Sequence, residues 1–221
     1  MRIAGLATLT ALAVLALGQP ALAQQTVRPG SLAVVAPERV LAVDPADRTL
    51  GRDDAPVTLT AYLSTVCGHC ATWHEADFPE IKRRLIDTGQ VRVVWRDLPT
   101  SPPQLALAGA VLARCAAPEH YDDALGALFR GQATYLQSGN VDGWLIAAAT
   151  AADLPLDQAQ ACVSDDARYA EIETRARQAS SLGVRSTPTL FVDGVVTSAR
   201  TADEIEAAIA GRPRPAPPSA D

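Results

Sequence analysis

Hydrophobic and polar residues change their spacing several times along the chain, and each change predicts an element. Val57-Thr58-Leu59-Thr60-Ala61-Tyr62-Leu63 is an apolar run with threonines interleaved, which predicts a strand. From Cys67 to about Asp87 the apolar positions, Trp73, Ile81 and Leu85 among them, suit one helix that Thr88-Gly89 closes. Val91-Arg92-Val93-Val94-Trp95 is β-branched and aromatic and predicts a second strand. Strands this apolar in a βαβ unit imply parallel neighbours joined by a right-handed crossover.

Helical spacing then takes over. The Ala-, Leu- and Gln-rich stretch predicts helices at Pro103–Ala116, Tyr121–Gln132, Val141–Ala152, Leu156–Val163 and Asp165–Leu182, punctuated by Pro118, Gly139 and Pro155. That is too much helix for one crossover, so residues 103–182 are expected to form an inserted helical subdomain between two parts of one α/β domain, 51–102 and 183–210. The sheet resumes at Thr187-Pro188-Thr189-Leu190-Phe191-Val192, turns at Asp193-Gly194 and returns through Val195-Val196. Thr201 and Glu204 stand at capping-box spacing at the start of a last helix, Thr201–Ala210. Residues 24–50 read as an arm with a short strand near Val40–Val43, and 211–221 as a Pro-rich disordered tail.

The first 23 residues read as a secretory signal peptide. Arg2 is their only charge, Leu6 to Leu17 is an apolar core, and Ala21-Leu22-Ala23 is a small-x-small cleavage site. The core is shorter than the roughly 20 residues of a membrane span. Gln24, not cysteine, follows the cleavage site, so no lipid-anchoring thiol is available there. A mature protein beginning near Gln24 and soluble outside the cytoplasm is expected. Loss of Arg2 takes the formal net charge from −6 to −7, the opposite of the basic surface that a nucleic-acid partner calls for.

Candidate chemistry centres on Cys67-Gly68-His69-Cys70, placed between a strand and a helix. The unpaired N–H groups and macrodipole of a helix N-terminus favour a thiolate at Cys67, and Cys70, one turn on, reaches the same sulfur. His69, between the two, can donate a hydrogen bond to that thiolate or add positive charge when protonated. A zinc site needs a second pair of ligands, but Cys115 and Cys162 are single and distant. A carrier for a soft metal such as Cu(I) would favour Met or His ligands. The chain has three histidines, and its one methionine is the initiator. No metal and no organic cofactor are expected, because a redox-active dithiol carries the electrons itself. A permanently oxidised structural bridge is the other reading of the motif. Pairing Cys67 with Cys70 leaves Cys115 and Cys162 either bonded to each other or as two buried thiols.

Pro188 opens its strand, where a residue without an N–H needs an irregular or edge position. Three segments together, Gly51…Asp54-Ala55-Pro56-Val57-Thr58, then Cys67-Gly68-His69-Cys70, then Gly183-Val184-Arg185-Ser186-Thr187-Pro188-Thr189-Leu190-Phe191-Val192-Asp193-Gly194, resemble the DsbA-like branch of the thioredoxin superfamily. The resemblance runs from about Leu50 to Ala210. It implies an α/β thioredoxin fold with an inserted helical subdomain, Cys67 as attacking thiol, Cys70 as resolving thiol, and a cis Thr187–Pro188 bond beside them. It also implies that the backbone at Thr187 pairs with an extended substrate segment, and that Cys115 and Cys162 form a structural disulfide stapling the insertion. One position departs from the pattern. Relatives often carry a buried acid six residues before the first cysteine, and here that residue is Ala61. Proton transfer then falls to water, or to His74 or Glu75 just after Cys70. The plain alternative for His74 is a solvated surface histidine.

The function implied is a periplasmic thiol–disulfide oxidoreductase that donates its Cys67–Cys70 disulfide to reduced exported proteins and is reset by a membrane redox partner. The alternative of the same fold is a reductase or disulfide isomerase kept reduced by another system. Isomerases of this superfamily usually carry an extra dimerisation segment ahead of the fold. Residues 24–50 are too few for such a domain, so a monomer is expected.

Overall fold

The computed structural model describes residues 42–211. The expected signal peptide, most of the expected arm and the expected tail beyond Gly211 lie outside the described residues. Strands β1 (Arg48–Leu50), β2 (Val57–Leu63), β3 (Val91–Asp97), β4 (Thr189–Val192) and β5 (Val195–Thr197) form one sheet in the order β1-β3-β2-β4-β5. β2 and β3 are parallel neighbours, as their apolar runs predict, and the other pairings are antiparallel. Central β2 places Ala61 opposite Trp95 on one side and Leu190 on the other. Thioredoxin-type layering follows, with helices covering the sheet.

Two expectations need correction. Ala42 and Val43, the described part of the expected arm strand, are not in a strand. The strand lies instead at Arg48–Leu50, where pairing with β3 creates it. The single helix expected from Cys67 to Asp87 is broken. α1 (Gly68–Ala76) ends at Asp77, α2 covers Phe78–Ile81, and a π-helical turn spans Lys82–Ile86. Pro79 causes the break, because it lacks an N–H and its ring crowds the preceding turn. Trp73, Phe78, Ile81 and Leu85 nevertheless all reach one core with Leu59, Ala61, Val93, Trp95 and Leu190.

The insertion comprises α3 (Pro103–Cys115), a 3₁₀ turn (Pro118–His120), α4 (Tyr121–Ser138), α5 (Val141–Ala151), α6 (Leu156–Val163) and α7 (Asp166–Ser181). α4 runs a turn and a half past the expected end at Gln132 and stops at Gly139, whose φ of 67° suits a left-handed cap. The last helix, α8 (Ala202–Ala210), carries the complete Thr201–Glu204 capping box.

Three contacts fix the insertion to the site-bearing sheet. α4 packs against α1. α3 approaches the loop before Cys67 so closely that a Cβ on Gly109 would lie 2.6 Å from Thr65 Oγ1. At the C-terminal end of β3, the same end of the sheet as the cysteines, the Asp97 carboxylate accepts from Arg114 of α3, and Asp47 accepts from both Arg96 of β3 and Arg175 of α7. The Asp47 side chain is fully buried, so these pairs fix geometry at a desolvation cost.

Candidate active site

Cys67 is the N-cap residue of α1, with extended backbone (φ −86°, ψ 116°) and no side-chain cap. Its sulfur therefore stands where the first helical N–H groups point. The thiol is half-buried, whereas Cys70, one turn on, is fully enclosed. Both are free thiols in this structure.

The two cysteines are pushed in opposite directions. Donation from the Cys70 thiol is the largest cause holding Cys67 down to about 5, against the opposing effect of burial. The Thr187 side chain and the backbone N–H groups of Cys70 and His69 add to it. Cys70 is pushed well above the ordinary thiol range, because its proton is engaged by Cys67 and because it is buried. At neutral pH the pair thus consists of a half-buried thiolate nucleophile and a protonated reserve thiol.

Thr187 and Pro188 close the site from the other side. The bond between them is cis, and the Cys67 Sγ lies 3.4 Å from the Thr187 carbonyl oxygen in the thiol form. A second cis bond, Ser101–Pro102, was not foreseen in the sequence.

The remaining candidates divide. His69 is exposed, and among the described residues its ring makes no hydrogen bond to Cys67; the residue contributes through its backbone N–H instead. His74 is not a solvated surface residue. It is buried, stacks on Phe78 with ring centroids 5.0 Å apart, and its Nε2 lies 3.3 Å from Asp122 Oδ1 on α4. Glu75 is exposed. Neither residue hydrogen-bonds to a cysteine, and Ala61 is sealed in β2. Cys115 and Cys162 are joined in a disulfide between the ends of α3 and α6, with Cα atoms 6.3 Å apart. Among the described residues no group of three or more His, Cys, Asp or Glu is arranged to hold a metal ion, and no helix is long and apolar enough to cross a membrane.

Sequence reasoning missed Gln132. It is buried on α4, and its Nε2 donates to the Thr65 carbonyl at 2.9 Å, two residues before Cys67. Its Oε1 lies 3.8 Å from where a Cβ on Gly68 would be. A polar residue in register with Leu125, Leu128 and Phe129 on an apolar helix face was the available signal.

A thioredoxin family model matches residues 44–210. The chain belongs to the thioredoxin family. A Rickettsia prowazekii protein described as a putative protein-disulfide oxidoreductase is 27% identical over 169 residues, covering 76% of this chain and 61% of that protein. Its counterpart in Rickettsia felis is 28% identical, covering 76% and 60%. The chain thus spans about 60% of the length of these curated relatives. Among solved structures, Wolbachia pipientis alpha-DsbA1 is 25% identical with a TM-score of 0.70, covering 78% of this chain and 94% of that one. Oxidised BdbD from Bacillus subtilis, at 22% identity and TM-score 0.67, shares the fold over 75% of this chain and 91% of its own. In this DsbA-like arrangement the helical insertion lies between β3 and β4, and its α4 packs against the thiol-bearing α1.

Proposed function

We propose that this protein is a periplasmic thiol–disulfide oxidoreductase that oxidises reduced exported proteins. The observation carrying this is the divergence of the two thiols: Cys67 held to about 5 beside a Cys70 that keeps its proton. Stabilising the Cys67 thiolate favours the reduced form, so the disulfide form is a strong acceptor of electrons.

In the oxidising direction a client thiolate attacks Cys67 Sγ of the Cys67–Cys70 disulfide and expels Cys70, which takes up a proton. A second client thiolate attacks the client sulfur of the mixed disulfide and expels Cys67 as a thiolate. The client has then lost two electrons and two protons and gained a disulfide. One proton rides on Cys70 and the other enters solvent. Cys67 is the better leaving group because its thiolate is the more stable.

Thr187 offers its backbone to an extended client segment beside Cys67. The Cys115–Cys162 disulfide is structural. A membrane redox partner reoxidises the active pair, and the protein works as a monomer. His74, held by Asp122 and stacked rings, serves packing between α1 and α4, and neither it nor Glu75 draws support from contact geometry as a proton carrier.

Trapping tests the mechanism. A Cys70→Ala variant incubated with a protein bearing an exposed disulfide should accumulate an adduct that dithiothreitol reverses and that Cys67→Ala/Cys70→Ala does not form. No adduct, or an equal adduct without Cys67, overturns it.

A further inference from the structure

Pro188 has no N–H, and the β4 ladder to β2 begins only at Thr189, opposite Tyr62. The preceding segment is tied by Val184 N to Ala179 O at 3.1 Å and by Thr189 Oγ1 to Ser186 O at 2.7 Å. Something else must hold the Thr187–Pro188 corner against Cys67. The Pro188 carbonyl accepts from Arg200 Nη2 at 3.2 Å. Nη1 of the same guanidinium donates to the carbonyls of Ala199 at 2.8 Å and Thr197 at 3.2 Å.

The other end of Arg200 reaches the thiol-bearing helix. Its backbone carbonyl accepts from Trp73 Nε1 at 3.0 Å, and Trp73 sits three residues after Cys70 in α1. Its backbone N–H is fixed by Glu204 Oε2 at 2.7 Å, in the capping box of α8. One residue thus grips both walls of the exchange site from behind. Among the described residues the Arg200 guanidinium forms no ion pair, and its partners are three carbonyl oxygens. What they require is a rigid fork that spans several acceptors, which a lysine ammonium does not supply.

We propose that Arg200 is a positioning residue for client exchange, setting the separation between the Thr187–Pro188 corner and Cys67. This rests on the oxidoreductase function proposed above and deepens it. A protein client must lie along Thr187 while its sulfur meets Cys67, so it senses that separation. Dithiothreitol needs Cys67 alone. Loss of the fork therefore discriminates between the two classes of thiol.

The experiment measures, in the full mature protein carrying the Cys67–Cys70 disulfide, the reduction rate by a single-cysteine extended peptide and by dithiothreitol. Arg200→Ala and Arg200→Lys should both lower the peptide rate about tenfold, since small misplacements of reacting groups carry penalties of that order, while the dithiothreitol rate stays within about twofold of wild type. A merely structural role would lower stability or both rates together and would leave their ratio unchanged, which overturns the proposal. An Arg200→Lys protein matching wild type overturns it too, because charge rather than the fork would then suffice. If Arg200→Ala does not fold, Trp73→Phe removes the indole donor to the Arg200 carbonyl together with part of a buried ring and should shift the rate ratio in the same direction; an unchanged ratio there also refutes it. A wild-type disulfide inert to dithiothreitol would instead refute the exchange chemistry itself.

Discussion

Replacing Cys70 by alanine removes the donor that contributes most to the low Cys67 pKa, and the structure sets the size of the response. A hydrogen bond to a charged group is worth about 1.5–3 kcal/mol, or about one to two pKa units. Cys67 is half-exposed, so solvent takes over part of the lost stabilisation and the lower end applies. The Thr187 side chain and the backbone N–H groups of Cys70 and His69 remain in place. The Cys67 midpoint should therefore rise from about 5 to about 6, roughly one unit. Cys70→Ser keeps a hydroxyl donor and should stay within about half a unit of the value in the native pair. The assay is the pH profile of alkylation by iodoacetamide, checked by the ultraviolet absorbance of the thiolate. The midpoint is read rather than the plateau rate, because intrinsic thiolate nucleophilicity rises with pKa and offsets the smaller thiolate fraction. A midpoint that stays at its native value in Cys70→Ala would refute the argument. So would a serine variant that shifts as far as the alanine variant.

Other consequences follow from the same structure. Cys67 is depressed in the folded dithiol from 9.0 to about 5 and does not titrate in the disulfide. Between those pH values the unfolded chain binds more protons, so the stability of the reduced relative to the oxidised form should increase as pH rises and vanish below the folded value; Tm differences across that window check it, and a flat difference contradicts it. Removing the second bridge with Cys115→Ser/Cys162→Ser opens a 47-residue loop and should lower stability by about 4 kcal/mol in denaturant unfolding. The alkylation midpoint of Cys67 should not move, since neither half of that bridge is among its causes. Asp97→Ala leaves the Arg114 guanidinium, whose side chain is 11% exposed, without its carboxylate partner. A loss of about 3–5 kcal/mol is expected, and chemical denaturation showing under about 1 kcal/mol would mean that Arg114 finds water.

Much of the site was legible because its chemistry is local. Cys67 and Cys70 lie one turn apart after an apolar strand, and that spacing alone brings a helix N-terminus to a thiol. Thr187-Pro188 was legible only as a motif, since nothing in the segment itself says which surface it meets. The parallel β2–β3 pair followed from two unbroken apolar runs. β1 was misplaced because Arg48-Thr49-Leu50 carries no strand pattern of its own and is extended by its partner. The helix after Cys70 was drawn too long because Trp73, Ile81 and Leu85 keep helical spacing across Pro79, and the π turn beyond the break restores their facing. His74, on the single helix expected from Cys67 to Asp87, read either as a proton carrier or as a solvated surface histidine. α4, whose Asp122 lies 48 positions further along the chain, buries it against Phe129, with centroids 5.1 Å apart. Gln132 showed only as a polar residue on an apolar helix face, while its partner, the Thr65 carbonyl, lies 67 positions away, and the contact of Arg200 with the Pro188 carbonyl leaves no trace in local patterning.

The direction of electron flow is the central claim, and the equilibrium reduction potential of the Cys67–Cys70 pair against glutathione tests it most directly, with Cys115→Ser/Cys162→Ser isolating that pair. Stabilisation of the Cys67 thiolate at about 5 should place the potential toward the oxidising end of the superfamily, nearer the about −120 mV of DsbA than the about −270 mV of thioredoxin. A value near the thioredoxin end would contradict it and make the protein a reductase whose physiological partner supplies electrons.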